Sequence, residues 1–294
     1  METIGELIDK LTIVNLKMWK WEDVKRSGGN DKTIADATRK TSLLNHQRSN
    51  LIQEIDIKIT GIDNGQGSTK SYGVIKPANW LNQHRSNERV SQHGEYGILK
   101  KIFETIGTNN KWCVEFGAWD GMNFSNTFNL INDDGWSSVQ IEPNGDRAAM
   151  LLERYASNLH VTCLQREVHP IEPINCLIDN ILKETKCPND LDLVVIDVDG
   201  EDLAIWESMH VYKPTVVLIE FNAYKSIKKD AEGASLREVN DLAIHKGYEL
   251  IAVSGYSCGV NAFFVKKDLF DQFGIVDNAI SNFISADGSL TNFE

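Results

Sequence analysis

Apolar residues recur at helical intervals near the start of the chain: Ile4, Leu7, Ile8, Leu11, Val14, Met18 and Trp21, then, after Ser27-Gly28-Gly29-Asn30, Ile34, Ala37, Leu44, Leu51, Ile52, Ile55 and Ile59. Thr3 with Glu6 three positions on has the spacing of a capping box, which predicts a first helix running to about Arg26. The second run predicts a helix from Asp31 to about Ile59. Two long helices joined by a short glycine loop form an αα-hairpin, and a lone hairpin buries too little to be stable. Its stripes need a cover, either the rest of the chain or a second subunit. The Gly61–Ser71 stretch reads as a flexible linker, which favours the subunit.

From Lys111 onward the pattern changes to short apolar runs alternating with amphipathic ones. Strands are expected at 112–116, 138–141, 160–164, 193–196 and 215–221, with helices at 123–132, 146–155, 174–183, 202–209 and 235–246. Runs at 249–253 and 262–266, joined through 254–259, read as a closing antiparallel pair. This alternation predicts an α/β fold: a Rossmann-like seven-stranded, mostly parallel sheet with an antiparallel closing strand, preceded by an α-helical hairpin. The expected organisation is a hairpin at 1–61, a linker or active-site strap at 62–90, and a catalytic domain at 91–294. Within the middle segment, Trp80, His84, Arg85 and Arg89 fit either a solvated connector or a strap carrying basic contacts.

Composition narrows the partners. With 41% hydrophobic and 24% charged residues over 294 positions, the chain has the balance of a protein with a buried core. A formal charge of −12 disfavours sequence-independent nucleic-acid binding, which depends on neutralising phosphates. It leaves room for a local basic pocket. The five cysteines form no C-x-x-C pair and read as reduced thiols. No basic leader followed by an apolar run and no stretch of about 18 apolar residues is present, so the expectation is a cytoplasmic protein without membrane insertion.

The stretch with most chemistry in it is Trp112-Cys113-Val114-Glu115-Phe116-Gly117-Ala118-Trp119-Asp120-Gly121. It reads as a buried strand, an acidic residue near its end and a glycine turn opening a helix, the place where open α/β sheets hold ligands. The glycines stand four apart, unlike the G-x-G-x-x-G that lets a backbone approach a pyrophosphate. An NAD enzyme is therefore disfavoured. Glu142, 21 residues after Gly121 at the end of the second strand, has the position of a carboxylate that accepts from ribose hydroxyls, although a helix cap ahead of Asp146 is an equal reading.

The string E-x-G-x-x-x-G resembles the first motif of class I S-adenosylmethionine (SAM) methyltransferases, and Ser91-Gln92-His93-Gly94-Glu95-Tyr96-Gly97 resembles the S-Q-x-G-E-x-G entry of the FkbM-like branch. The resemblance covers about residues 91–266. It implies SAM as cofactor, bound by Gln92, Glu95, Glu115, Gly117, Gly121, Glu142, Pro143 and Asp197, with an adenine contact among Gln165, Arg166 and Glu167. Tyr96 inside the entry string and Asn222-Ala223-Tyr224 after the fifth strand depart from that pattern. The opening string Thr3 to Leu11 also looks like the start of proteins encoded with bacterial surface-sugar enzymes.

Carboxylates leave the fourth strand in Asp197-Val198-Asp199-Gly200-Glu201-Asp202 and the fifth at Glu220. Adjacent strands lie about 4.8 Å apart, so such groups converge and then need a cation or a raised pKa. One reading places Mg²⁺ or Mn²⁺ on Asp197, Glu220 and Asn222, similar to metal-assisted O-methyltransferases. The other has Asp197 orient SAM, Asp199 cap a turn and Asp202 start a helix, with no metal. Candidate bases are Asp197, Asp199, His169 and His93. Arg85, Tyr224, Lys225 and Lys228 are candidate acceptor contacts, the lysines reading equally as a solvated charge run. The expected activity is O-methylation of a sugar hydroxyl, on a nucleotide-linked or capsule or lipopolysaccharide sugar. The alternatives are another small-molecule acceptor or a silent binding module. Self-association through the N-terminal helices is expected.

Overall fold

The computed structural model describes residues 3–28, 31–60, 78–86, 90–171, 173–223, 233–256 and 258–284. Two compact units divide the chain: Met1–Pro77 with Gly274–Asp277, and Ala78–Phe273 with Asn278–Glu294.

The first unit contains α1 (Ile4–Arg26) and α2 (Asp31–Thr60), within one or two residues of the expected bounds. Thr3 and Glu6 form the capping box, Thr3 Oγ1 accepting from Glu6 N and Glu6 Oε2 from Thr3 N. The helices run antiparallel, since Asn15 Oδ1 accepts from Arg48 Nε at 3.0 Å while Lys40 Nζ stands 4.0 Å from the Trp21 ring centre. Leu7, Val14, Ala37 and Leu44 are buried. Ile8, Ile13, Leu16 and Trp19 of α1 are exposed.

The second unit holds α3 (Glu95–Ile106) and then the sheet with its flanking helices: β1 (Trp112–Phe116), α4 (Phe128–Asn132), β2 (Ser137–Ile141), α5 (Gly145–Tyr155), β3 (Val161–Leu164), α6 (Ile178–Lys183), β4 (Leu193–Ile196), α7 (Asp202–Ser208), β5 (Val216–Phe221), α8 (Leu236–His245), β6 (Tyr248–Tyr256) and β7 (Cys258–Lys266). The strand order is β3-β2-β1-β4-β5-β7-β6, with β7 antiparallel to both neighbours and the other pairs parallel. β1, β2, β4 and β5 are almost wholly buried, and β4 and most of β5 read accordingly as continuous apolar runs rather than alternating ones. At the amino edge Asp192, fully buried, accepts from the backbone N–H groups of Asn109, Asn110 and Lys111, tying the entry of β1 to that of β4. Among the described residues no helix is long and apolar enough to cross a membrane.

Three expected elements differ. The helix at 123–132 is shortened to Phe128–Asn132, because Asp120 accepts from the N–H of Met122 and Asn123 and Glu115 from that of Asn126, holding the chain in turns. The run at 174–183 is a 3-10 turn, Ile174–Cys176, and a separate α6, with Leu177 extended between them. The closing pair is longer, each strand having nine residues. Of the segment expected to be a linker, residues 80–84 form a 3-10 turn with Trp80 and Leu81 buried, and Asn79 and Asn82 bond the two sides of the Val253 peptide of β6. Residues 62–77 of that segment lie outside the described residues.

Candidate active site

The strand registers put one row of residues along the carboxyl edge of the sheet. Phe116 pairs with Ile141 and with Ile196, Ile196 with Ile219, Glu220 with Asn261, and Asn261 with Ser254. One residue on, Gly117 stands between Glu142 and Asp197, and Asp197 stands beside Glu220. The row crosses the β1/β4 gap, where strand order reverses and open α/β sheets bind ligands.

Gly117 has φ +80, and a β-carbon there would overlap the Asp197 carbonyl oxygen, so only glycine allows β1 and β4 to close. Gly121, at φ +75, serves packing: a β-carbon would come within 2.7 Å of Leu151 and Tyr155 on α5. The sequence reading gave Gly121 a place against the cofactor; the structure gives it this helix contact.

Glu142 accepts from Trp119 N and Asn144 N, both at 2.9 Å, and is 3% exposed. Pro143, lacking an N–H, leaves Asn144 as the next donor, and Asn144 then caps α5. Each Glu142 oxygen keeps acceptor capacity, and no cation pairs with it among the described residues, so it suits the two hydroxyls of a ribose. Gln165 Nε2 lies 3.4 Å from where a β-carbon of Gly145 would stand, at the same turn. Arg166 is directed to Glu184 at 2.7 Å. Gln165 follows Leu164, which pairs with Ile141, and so stands beside Glu142.

Glu115 and Glu95 are both buried and bonded to the protein's own donors. Glu115 is buried, and its oxygens accept from Ser125 Oγ at 2.7 Å, Asn126 N at 2.7 Å and Thr127 Oγ1 at 2.6 Å. Burial raises its pKa and these bonds oppose the rise. Its carboxylate holds the turn behind Gly117. Glu95 is fully buried and accepts from Ser254 Oγ, Asn261 Nδ2 and His93 N, clamping the start of α3 to β6 and β7. Gln92 beside it is exposed.

Asp197, Asp199 and Glu220 bring oxygens within 4.8 Å of one another. Asp199 thus joins the Asp197 and Glu220 named from the sequence; the Asn222 backbone N–H bonds to Ala234 O. Asp199 has a left-handed backbone, φ +58, held by Asp202, which accepts from Val198 N and Gly200 N. Burial first, then the charges of Glu220, Asp202, Glu115 and Asp199, push the Asp197 pKa well above the carboxylate range. Burial, then Asp202 and Asp199, raise Glu220 to about 7. Two full charges 4.8 Å apart repel by about 3 kcal/mol at an effective dielectric of 20. No ion pair to these three is made among the described residues, so an all-oxygen donor set of this kind fits Mg²⁺ or Mn²⁺.

His169 lies between Glu167 at 3.2 Å and Glu201 at 3.4 Å, so its ring meets those two carboxylates rather than Asp197 or Asp199. Arg85 closes the 3-10 turn against Gly94 and Gly97 at the start of α3. Tyr224, Lys225 and Lys228 lie outside the described residues. Sequence reasoning passed over two aromatics, Trp119 and Phe124, at φ +50 and +59, which are 37% and 54% exposed and 6.0 Å apart in an edge-to-face pair. Arg147 of α5 lies 3.8 Å over the Trp119 ring. Trp119 already stood inside the glycine turn; nothing in the string signalled that it faces solvent.

No family model matches the chain, and no curated protein matches it by sequence. Among solved structures, an O-methyltransferase from Bacillus cereus in complex with S-adenosylhomocysteine (SAH) is 17% identical, covering 72% of this chain and 97% of its own, with a TM-score of 0.42. A SAM-dependent methyltransferase from Aquifex aeolicus is 13% identical over 63% of this chain and 95% of its own, with a TM-score of 0.38. The N-terminal domain of EvdMO1, crystallised in the presence of SAH and D-fucose, is 11% identical over 62% and 84%, with a TM-score of 0.40. At these scores the residues of the site, not the likenesses, have to decide the chemistry.

Proposed function

We propose that the chain is an enzyme that transfers the methyl group of SAM to the oxygen of a sugar hydroxyl. The observation that carries this reading is the adjacency of two features in one row: the Gly117 turn with Glu142 on one side, and Asp197, Asp199 and Glu220 on the other. SAM, when bound, supplies a sulfonium methyl group open to displacement. Glu142 would hold the ribose hydroxyls, Gln165 would flank the base, and Gly117 lets β1 and β4 close at the turn beside them. Glu115 and Asp202 act from behind by fixing the two turns.

An Asp197 oxygen not engaged by a cation would receive the acceptor proton. Asp197, Asp199 and Glu220 would together hold Mg²⁺ or Mn²⁺, which supplies Lewis acidity toward a pair of neighbouring hydroxyls. Fixing donor and acceptor in line contributes on the order of 7–11 kcal/mol to the rate. The exposed Trp119 and Phe124 rings at the rim give a sugar ring an apolar face to lie on. The first-helix resemblance supports a sugar destined for a bacterial surface polysaccharide, methylated in the cytoplasm. Exposed Ile8, Ile13, Leu16 and Trp19 on α1 support self-association through the hairpin, which light scattering measures directly.

The deciding assay follows SAH release from SAM with nucleotide-linked sugars, with Mg²⁺, with Mn²⁺ and with EDTA. Turnover that EDTA abolishes is expected. Turnover indifferent to EDTA removes the metal, SAH binding without turnover on any sugar removes the sugar acceptor, and no SAH binding removes the cofactor.

A further inference from the structure

A cavity of about 820 Å³ opens at the amino edge of the sheet, where β5 and β6 begin and β7 ends. The whole length of β5 separates it from the carboxylates at Glu220, so it belongs to neither the cofactor turn nor the metal cluster. Its size falls within the range of small-molecule sites. Trp206, Met209, Tyr212 and Tyr248, all buried, contribute its apolar lining.

The charge around it runs against that of the protein. Lys213, Lys246, Lys266 and Lys267 line the cavity, against Glu207 and Asp268, in a chain whose net charge is −12. Lys267 lies 3.7 Å from Glu249, and Lys246 donates to the Met209 carbonyl at 2.8 Å, which leaves that ammonium two further donors. Lys213 and Lys266 form no ion pair among the described residues. Burial lowers the Lys246 pKa, as expected of an ammonium set against an apolar wall. Trp206 packs edge-on against Tyr248, their ring centres 5.8 Å apart, so the two form one apolar wall.

We propose that this cavity is a second binding site, for a small amphipathic anion: an apolar body lodged against Trp206 and Tyr248, and a carboxylate, sulfate or phosphate facing Lys213, Lys246 and Lys266. A neutral molecule leaves the ammonium groups uncompensated, and a bare inorganic anion leaves the apolar wall wet. Both are weaker ligands than the combination.

The probe is naphthalene-1-sulfonate, titrated into the full-length protein by calorimetry at low salt, with neutral naphthalene-1-sulfonamide and inorganic phosphate as comparisons. One sulfonate per chain is expected, binding roughly tenfold or more tighter than either comparison. The double variant Lys213→Gln/Lys266→Gln weakens it about fivefold. SAH affinity in the double variant stays at the wild-type value, which shows that the fold and the other site are intact. Equal affinity for the sulfonate and the sulfonamide overturns the proposal. So does a double variant that binds the sulfonate as well as wild type, or amide shift changes on binding confined to Gly117, Glu142 and Asp197.

Discussion

Gly117 and Asp197 meet backbone to backbone: the space a β-carbon on Gly117 would need is taken by the Asp197 carbonyl oxygen. This contact sets the distance between the cofactor turn and the carboxylates. Gly117→Ala adds a left-handed strain to an overlap with main chain, which cannot rotate away. The expected cost is about 2–4 kcal/mol in denaturant unfolding, with SAH binding lost in the fraction that still folds. A variant that unfolds with wild-type midpoint and binds SAH normally contradicts this account of the turn.

The carboxylate cluster makes stability depend on pH and on metal. Glu220 titrates at about 7 in the folded protein, above the ordinary 4.5, so the native state holds more protons than the unfolded state between those values. Stability in EDTA therefore falls as pH rises from about 4.5 through 7. Glu220→Gln flattens that fall. Mg²⁺ or Mn²⁺ compensates the charges, so either ion raises the melting temperature more at pH 8 than at pH 5. Melting curves across this range check both, and an equal metal effect at the two pH values counts against a cation here.

Glu142 and Glu95 are both deeply buried acids implied in cofactor binding, and they hold different donors. Glu142→Gln takes one acceptor from the Trp119 or Asn144 N–H, costing about 1–2 kcal/mol of stability, and weakens SAH binding by roughly tenfold or more. Calorimetry with SAH measures this; unchanged affinity removes Glu142 from the ribose.

Glu95→Ala strands Ser254 Oγ, Asn261 Nδ2 and His93 N without their acceptor in a dry interior. We expect a loss of about 3 kcal/mol in unfolding free energy, with SAH affinity of the folded protein unchanged. The opposite result, intact stability with lost affinity, restores Glu95 to the cofactor.

How far the site could be read from the sequence depended on the range of the forces involved. The positions of Glu142 at the end of β2 and of Gly117 in the turn after β1 were legible because strand ends and turn glycines are set by local pattern. Glu115 was misplaced: its acidity marked it as a ligand, but whether a carboxylate faces a hollow or its own turn depends on Ser125 and Thr127 folding back over it, ten and twelve residues away. Asp199 as the third carboxylate depended on a left-handed backbone that Asp202 enforces, a contact without a periodic signature.

The order of helices and strands, the capping box at Thr3, the mostly parallel sheet and its antiparallel closing pair were determined by the sequence itself, because periodicity and turn chemistry act over a few residues. The tertiary structure alone decided that Gly121 packs against a helix, that Asp197, Asp199 and Glu220 share one point, and that four lysines line a cavity at the far edge. Those relationships arise between segments distant in the chain, where the strand register and the burial of charge determine which groups face one another.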